Sequence, residues 1–386
     1  MRPSKQSNES SAPQQVPADA VYWLRMHAIA GLGRQSIYAL LKTFSSAQAI
    51  FDASYASLCK VVNENIASQI KLELIPEQVQ QNLQWLSQPD NHLLTLADED
   101  YPAMLLQTAD PPAVLFAKGQ LSCLQQSCLA IVGSRNPTPQ GEKNAHDFAS
   151  TLAKFDFCIV SGLALGIDAA AHQGALAAGG KTIAVVGTGL DIVYPAKHRE
   201  LAHQIVKQGL LISEFALGMP AMPQNFVQRN RLISGLSMGC LVVEASLQSG
   251  SLITAKFSTE QNREVFAIPG SIHSPQSKGC HQLIKQGAKL VDAVQDIVEE
   301  LKPEYFATQS QQQFKKNFAQ QDKPASTENF HADKALLNLI GFEPVTVEYL
   351  LQHSGLTSEQ LSSMLMALEL DNQIVAMPGG RYQRIV

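Results

Sequence analysis

Six short apolar runs, each followed by a stretch with helical spacing, occupy the middle of the chain. The runs are residues 129–132, 158–160, 182–186, 210–213, 240–244 and 264–268. The helical stretches are residues 140–155, 166–178, 197–208, 225–234, 251–262 and 279–286. None of the six runs alternates polar with apolar, which is the pattern of strands covered on both faces. Buried strands taken in turn with helices predict an α/β fold built on a Rossmann-like, doubly wound and mostly parallel sheet. A composition with 45% hydrophobic and 16% charged residues supplies that core and excludes a mostly disordered or coiled-coil chain.

The flanks differ in character. Residues 1–17 are polar and rich in Ser, Gln and Pro, the composition of a disordered tail. Residues 18–90 carry helical periodicity in Trp23, Leu24, His27 and Ala28, then in Ile37, Leu40, Leu41 and Phe44. Between these two groups, Ala30-Gly31-Leu32-Gly33 reads either as a helix-hairpin-helix phosphate contact or as a plain turn between helices. The α/β core is expected over residues 91–302, with 92–127 as an entry extension. Residues 303–330 are Gln-, Ser- and Lys-rich without apolar period, the composition of a flexible linker. Residues 331–386 follow the order helix, helix, helix, β-hairpin, which is that of a winged helix.

Charge narrows the function. The net charge is −5, so no global positive field points to nucleic acid. Residues 325–386 hold three Lys or Arg against seven Asp or Glu, and the expected third helix, 358–370, carries no basic residue. A duplex reader needs the opposite sign, so the winged helix reads as a protein-contact module. In the core the basic residues Arg135, Lys197, Arg229, Arg231, Lys256 and Lys278 follow strands, on the edge where open α/β sheets bind ligands. Six cysteines without a CxxC pair read as reduced, buried thiols. With no apolar targeting segment and no run approaching the ~18 residues of a membrane span, a soluble cytoplasmic protein is expected.

Four small-residue loops end strands on that edge. They are Gly133-Ser134-Arg135, the run Ser161-Gly162-Leu163-Ala164-Leu165-Gly166, the run Gly187-Thr188-Gly189, and Ser249-Gly250-Ser251 with Thr254. Glycine lets a ligand approach the backbone, while hydroxyls and free N–H groups take phosphate oxygens. Phe226 followed by Arg229, Asn230 and Arg231 offers a stacking ring beside phosphate ligands, as in single-strand grooves. A helix with Phe226 in the core and solvated arginines explains the same run. No GxxxxGK[ST] loop, third dinucleotide glycine, metal-ligand spacing or nucleophile–base pair occurs, so no cofactor, no metal and no catalytic residue is expected.

Six blocks together resemble one family. IVGSR (from Ile131), SGLALGIDAAAH (from Ser161), AVVGTGLDIVYP (from Ala184), RNRLISGLS (from Arg229), VVEASLQSGSLITA (from Val242) and VFAIPG (from Val265) are similar to the DNA-processing protein A (DprA/Smf) family. The resemblance implies a SAM-like helical domain, a Rossmann-like core and a winged helix. It implies a non-enzymatic, homodimeric mediator that binds single-stranded DNA and loads a RecA-type recombinase during natural transformation, with single-strand-binding protein as a further partner. It places phosphate contacts at Arg135 and in the loops of Ser161, Gly162 and Gly166 and of Ser249 to Thr254, and a basic contact at Lys197. Phe226, Arg229, Asn230 and Arg231 match its F-x-x-RNR block. Many relatives carry a basic residue just before that Phe, where Met222-Pro223-Gln224 stands here. The competing reading is a Rossmann-like enzyme that cleaves nucleoside monophosphates. Its PGGxGTxxE motif is replaced here by Ser249-Gly-Ser-Leu-Ile-Thr254 without the Glu. A duplex-binding transcription regulator is disfavoured by the acidic winged helix.

Overall fold

A computed structural model describes residues 16–72, 75–302, 336–337 and 339–385. The expected linker at 303–330 and all but the last two residues of the expected tail lie outside the described residues.

Nine strands form one sheet in the order β1-β2-β6-β5-β4-β3-β7-β8-β9. The six expected strands are β3 (Ser127–Val132), β4 (Phe157–Ser161), β5 (Thr182–Val185), β6 (Leu210–Ser213), β7 (Gly239–Val242) and β8 (Glu264–Ala267). All pair in parallel. The chain reverses sides at β3, whose neighbours are β4 and β7, so the strand order switches there. The segment expected as an entry extension instead adds two strands. β1 (Asn91–Thr95) lies antiparallel to β2 (Val114–Gly119), which lies antiparallel to β6. No crossover is needed to join an antiparallel pair, so this edge shows no strand–helix alternation. Lys289–Leu290 (β9) closes the other edge in parallel.

Successive strand residues point to opposite faces. In β3, Leu129 and Ile131 pack with α8 (Pro139–Ala153), α9 (Ile167–Ala177) and α14 (Val294–Leu301), the last helix before residue 302. Ala130 and Val132 pack on the other face with α11 (Pro223–Gly235), α12 (Ser251–Glu260) and α13 (Lys278–Lys285). The intervening helix α10 (Arg199–Gln208) joins Leu201, Ala202 and Ile205 to a third cluster. That cluster holds the N-terminal helices, which span residues 20–86 and pack Trp23, Leu40, Ile50 and Trp85 onto Phe116, Ala184 and Leu211 of the sheet. Gly31 has φ +81°, the left-handed conformation that turns the chain between the first two helices.

All six cysteines are free thiols, and Cys123, Cys128, Cys158, Cys240 and Cys280 are buried. The C-terminal unit has a core of its own, built on Leu336, Ile340, Leu350, Leu361, Leu365, Leu368 and Ile374. Its three-stranded sheet and the helices Val347–Ser354 and Ser358–Leu370 make the winged helix.

His172 on α9 is fully buried, and its Nδ1 lies 2.6 Å from Thr182 Oγ1. Thr182 already donates its hydroxyl proton to the Ile159 carbonyl, so the imidazole must donate from Nδ1. Nε2 is left buried without a partner. A second proton there would have no acceptor, and burial pulls the His172 pKa from 6.5 to about 3. As pH falls below 6.5 the unfolded chain takes up a proton that the native state refuses, so stability is full above that pH and drains below it, by up to about 1.4 kcal/mol per pH unit. The urea midpoint is expected to fall between pH 7 and pH 5, and His172→Gln to show a smaller fall across the same interval.

Candidate nucleic-acid interface

The carboxyl ends of β3, β4, β5 and β7 open onto a groove of about 610 Å³. Gly133, Ser134 and Arg135 leave β3 and form one wall. Ser134 is buried and its Oγ accepts the Asn136 N–H at 3.1 Å, which turns the loop outward. Arg135 projects into solvent and has no ion pair among the described residues. The acid that holds this loop is Glu244, just beyond β7. Its carboxylate accepts the Thr138 N–H at 2.9 Å and the Thr138 hydroxyl at 2.6 Å, and Thr138 in turn caps α8. Glu244 therefore serves Thr138 and leaves the guanidinium of Arg135 free.

The opposite wall is α11. Phe226, Arg229 and Asn230 share one face of this helix, as residues three and four apart do. The Phe226 ring centre lies 5.9 Å from the Arg135 guanidinium and 5.4 Å from the Tyr194 ring. Tyr194 is 50% exposed and lines the groove. In the sequence Tyr194 stands within the AVVGTGLDIVYP block with no role of its own; its signal is an aromatic in a strand-end loop beside glycines. Ser249, Gly250, Ser251 and Thr254 close the groove at the start of α12. The Ser249 and Ser251 hydroxyls are 2.7 Å apart, and Asn230 Nδ2 reaches the Gly250 carbonyl at 3.5 Å.

Arg229 is buried beneath the groove rather than exposed on its wall. Its guanidinium donates to the Val185 carbonyl, and a Cβ on Gly162 would collide with it. Asp168 faces it and accepts the Gly162 N–H at 3.1 Å and the Ala164 N–H at 3.2 Å. Burial raises the Asp168 pKa against the pull of Arg229 and the two amides; burial lowers Arg229 to about 10, against the pull of Asp168. Arg229 is among the residues lining the groove, and its Nε is buried without a hydrogen-bond partner among the described residues.

The remaining expected residues lie outside the groove. Ser161 is buried and donates to the Ile131 carbonyl at 2.6 Å. Gly162 is the seat of Arg229. Gly166, with φ +75°, starts α9 and lines a neighbouring furrow. Lys197 is exposed in the short turn before α10. Arg231 points away: it pairs with Glu214 and donates to the Asp110 carbonyl, while Arg34 bridges Asp110 at 2.7 Å and Glu214 at 3.3 Å. Two residues apart on a helix means about 200° around its axis, so Arg229 and Arg231 cannot share a face.

Comparison with known proteins gives the family. Residues 92–302 match the family model described as DNA recombination-mediator protein A, and residues 320–380 match the DprA winged helix domain. The chain belongs to the DNA recombination-mediator protein A family. Protein Smf of Escherichia coli is 42% identical over 313 residues, covering 78% of this chain and 80% of that protein. Protein Smf of Synechocystis is 33% identical, covering 95% and 99%. The solved structure of DNA processing protein A from Streptococcus pneumoniae superposes with a TM-score of 0.66 at 36% identity, covering 73% of this chain and 98% of that one. The protein from Helicobacter pylori, whose structure was described for its single-stranded DNA binding mode, superposes with a TM-score of 0.50 at 30% identity, covering 55% and 97%. Among the described residues of this family member, no group of three or more His, Cys, Asp or Glu is placed to hold a metal, and no helix is long and apolar enough to cross a membrane.

Close approach at Gly162 and open space at Gly250 give a paired prediction. Gly162→Ala drives a methyl into the buried guanidinium and is expected to cost about 1–3 kcal/mol of stability, read as a lower urea midpoint. Gly250 has φ −62° and nothing within reach of a new Cβ, so Gly250→Ala is expected to leave the midpoint unchanged or slightly raised.

Proposed function

We propose that this recombination mediator holds single-stranded DNA along the strand-end groove, by its backbone and by stacking, with little sequence preference. The observation that carries this reading is an unpaired, exposed Arg135 guanidinium set beside the Phe226–Tyr194 ring pair. Arg135, with the Gly133, Ser134 and Ser249–Ser251 backbone, takes phosphates. The rings take base faces, a contact indifferent to base identity. Asn230 and Thr254 line the same surface. Arg229 adds positive charge from below, Lys197 extends the basic edge, and Ser161, Gly162 and Gly166 shape the loops that frame it. Arg231 supports α11 from its other side.

Asp168 is the one carboxylate among the lining residues; it is only 7% exposed, and its Oδ2 accepts the Gly162 and Ala164 amides. Glu244, outside the lining, accepts two hydrogen bonds from Thr138. This favours a non-enzymatic mediator over a nucleoside-monophosphate-cleaving enzyme. In this reading residues 91–302 form the DNA-holding core and dimerise through it in the cytoplasm, and a RecA-type recombinase and single-strand-binding protein are the protein partners. The winged helix, acidic and with Met366 66% and Leu370 74% exposed on its last helix, is a protein-contact module.

Fluorescence anisotropy with oligo-dT and with duplex of the same length tests the reading. Single strands are expected to bind more tightly, with affinity falling steeply as salt rises; equal affinity for duplex overturns it. Arg135→Ala is expected to weaken single-strand binding about tenfold to a hundredfold, since a charge-assisted bond contributes about 1.5–3 kcal/mol. Tyr194→Ala and Phe226→Ala each remove a stacking face and are expected to cost about fivefold to a hundredfold.

Truncation after Lys302 removes the winged helix. Oligo-dT affinity of the truncated chain is expected to stay within a few-fold of the full chain, measured in the same titration; a loss of two orders of magnitude would give the winged helix a direct share in DNA binding.

A further inference from the structure

Arg135 stands between two depressions. One is the groove described above. The other, about 580 Å³, lies on the far side of its loop and opens into a third, of about 470 Å³, through the shared side chains of His146 and Gln173. Together they form one furrow between α8 and α10. Its floor is α9, where Gly166, Ala169, Ala170, Gln173, Leu176 and Ala177 all line the furrow. These positions run i, i+3, i+4, i+7, i+10, i+11, a single helical face. It is open along all 11 residues of the helix, about 16 Å at 1.5 Å per residue.

The walls are polar. Lys143 and His146 project from α8, and both lean on Asp147, at 2.8 and 3.3 Å. These are exposed contacts of small worth that a phosphate can replace. Glu142 is the one acid lining the furrow. On the other wall His198 donates from Nδ1 to the Leu163 carbonyl at 2.9 Å, which fixes the ring and leaves its Nε2 edge without that bond. Gln173, Gln204 and Gln208 carry amides that both donate and accept, and so suit the edge of any base. The small residues of the floor admit a sugar–phosphate backbone close to the helix.

We propose that this furrow holds the next nucleotides of the same single strand, which leaves the groove by crossing Arg135. The proposal rests on the reading of the groove as a single-strand site. Continuity decides the occupant: Arg135 lines both depressions, so a strand held by its guanidinium in the groove has the furrow as its adjoining path.

Gln173 is exposed, lines both halves of the furrow and lies outside the groove, so it isolates the proposal. The full chain is titrated with oligo-dT of about 6 and about 20 nucleotides, at an ionic strength where charges act over only about 8 Å. Gln173→Glu is expected to weaken binding of the long oligonucleotide about threefold to tenfold and Gln173→Lys to strengthen it, with the short one unchanged in both. No change with the long oligonucleotide, or equal change with both lengths, overturns the proposal. So does a shift in the sedimentation coefficient of the DNA-free Gln173→Glu variant, which would make the furrow a face between copies of the chain. Failure of the groove reading looks different: Arg135→Ala would then leave binding of the short oligonucleotide intact.

Discussion

A buried guanidinium holds the strand-end edge together. Arg229 comes from α11, binds the carbonyl that ends β5, and fills the space left by the missing side chain of Gly162 after β4. Asp168, at the start of α9, faces it while gathering the amides of the same loop. Two strand-end segments and two helices thus meet at one charge. An ion taken out of water is costly unless it is surrounded by compensating groups, and removing one partner of such a set costs several kcal/mol. The loops on this edge are therefore held far more tightly than their glycine content suggests. Arg135, exposed and one strand away, therefore leaves an edge whose backbone is already fixed.

The same division of labour separates the arginines and carboxylates that a linear reading treats alike. Glu244 and Arg135 end neighbouring strands, and an ion pair between them would close the groove. Glu244 instead accepts two hydrogen bonds from Thr138 and lies against Gly141 in the first turn of α8, where a Cβ would strike its carboxylate. Its charge goes to positioning the loop, so that of Arg135 stays unpaired. An exposed guanidinium without an ion pair, set beside two rings, has the chemistry that a polyanion with flat bases would meet.

Much of this was legible in the sequence. Strands β3 to β8 and the helices after them were readable because short runs of three to five residues without polar alternation cannot be amphipathic edges. The loops of Gly133 and Ser249 were readable because small residues between a buried strand and a helix have little else to do. The first two strands were missed because proline pairs interrupt their surroundings and an antiparallel join leaves no crossover signature. Tyr194 was missed because its role depends on the Phe226 ring, brought beside it only by the fold. The RNR run illustrates both sides. Its likeness to a phosphate-binding motif was plain, yet helical geometry alone already separates Arg229 from Arg231 by more than half a turn, so only one of them can belong to the groove.

The other arginine ties the groove to the N-terminal helices. Arg231 meets Glu214 after β6 and Asp110 before β2, and Arg34, on the second N-terminal helix, joins the same two acids. Burial raises the Glu214 pKa while the two guanidinium groups oppose it. Arg231 and Glu214 are buried while Arg34 and Asp110 reach the surface, and two cations against two anions nearly cancel in charge, which makes the burial of the inner pair tolerable. The geometry is selective: a planar guanidinium on each side fixes direction as well as distance, which apolar packing would leave free to slide. Helix α11 is thereby clamped from opposite faces, by Arg229 toward the sheet and by Arg231 toward the N-terminal helices. A change in the seating of those helices would reach Phe226 and Asn230 through a single rigid helix, so the N-terminal helices belong to the mechanics of the groove although none of their described residues lines it.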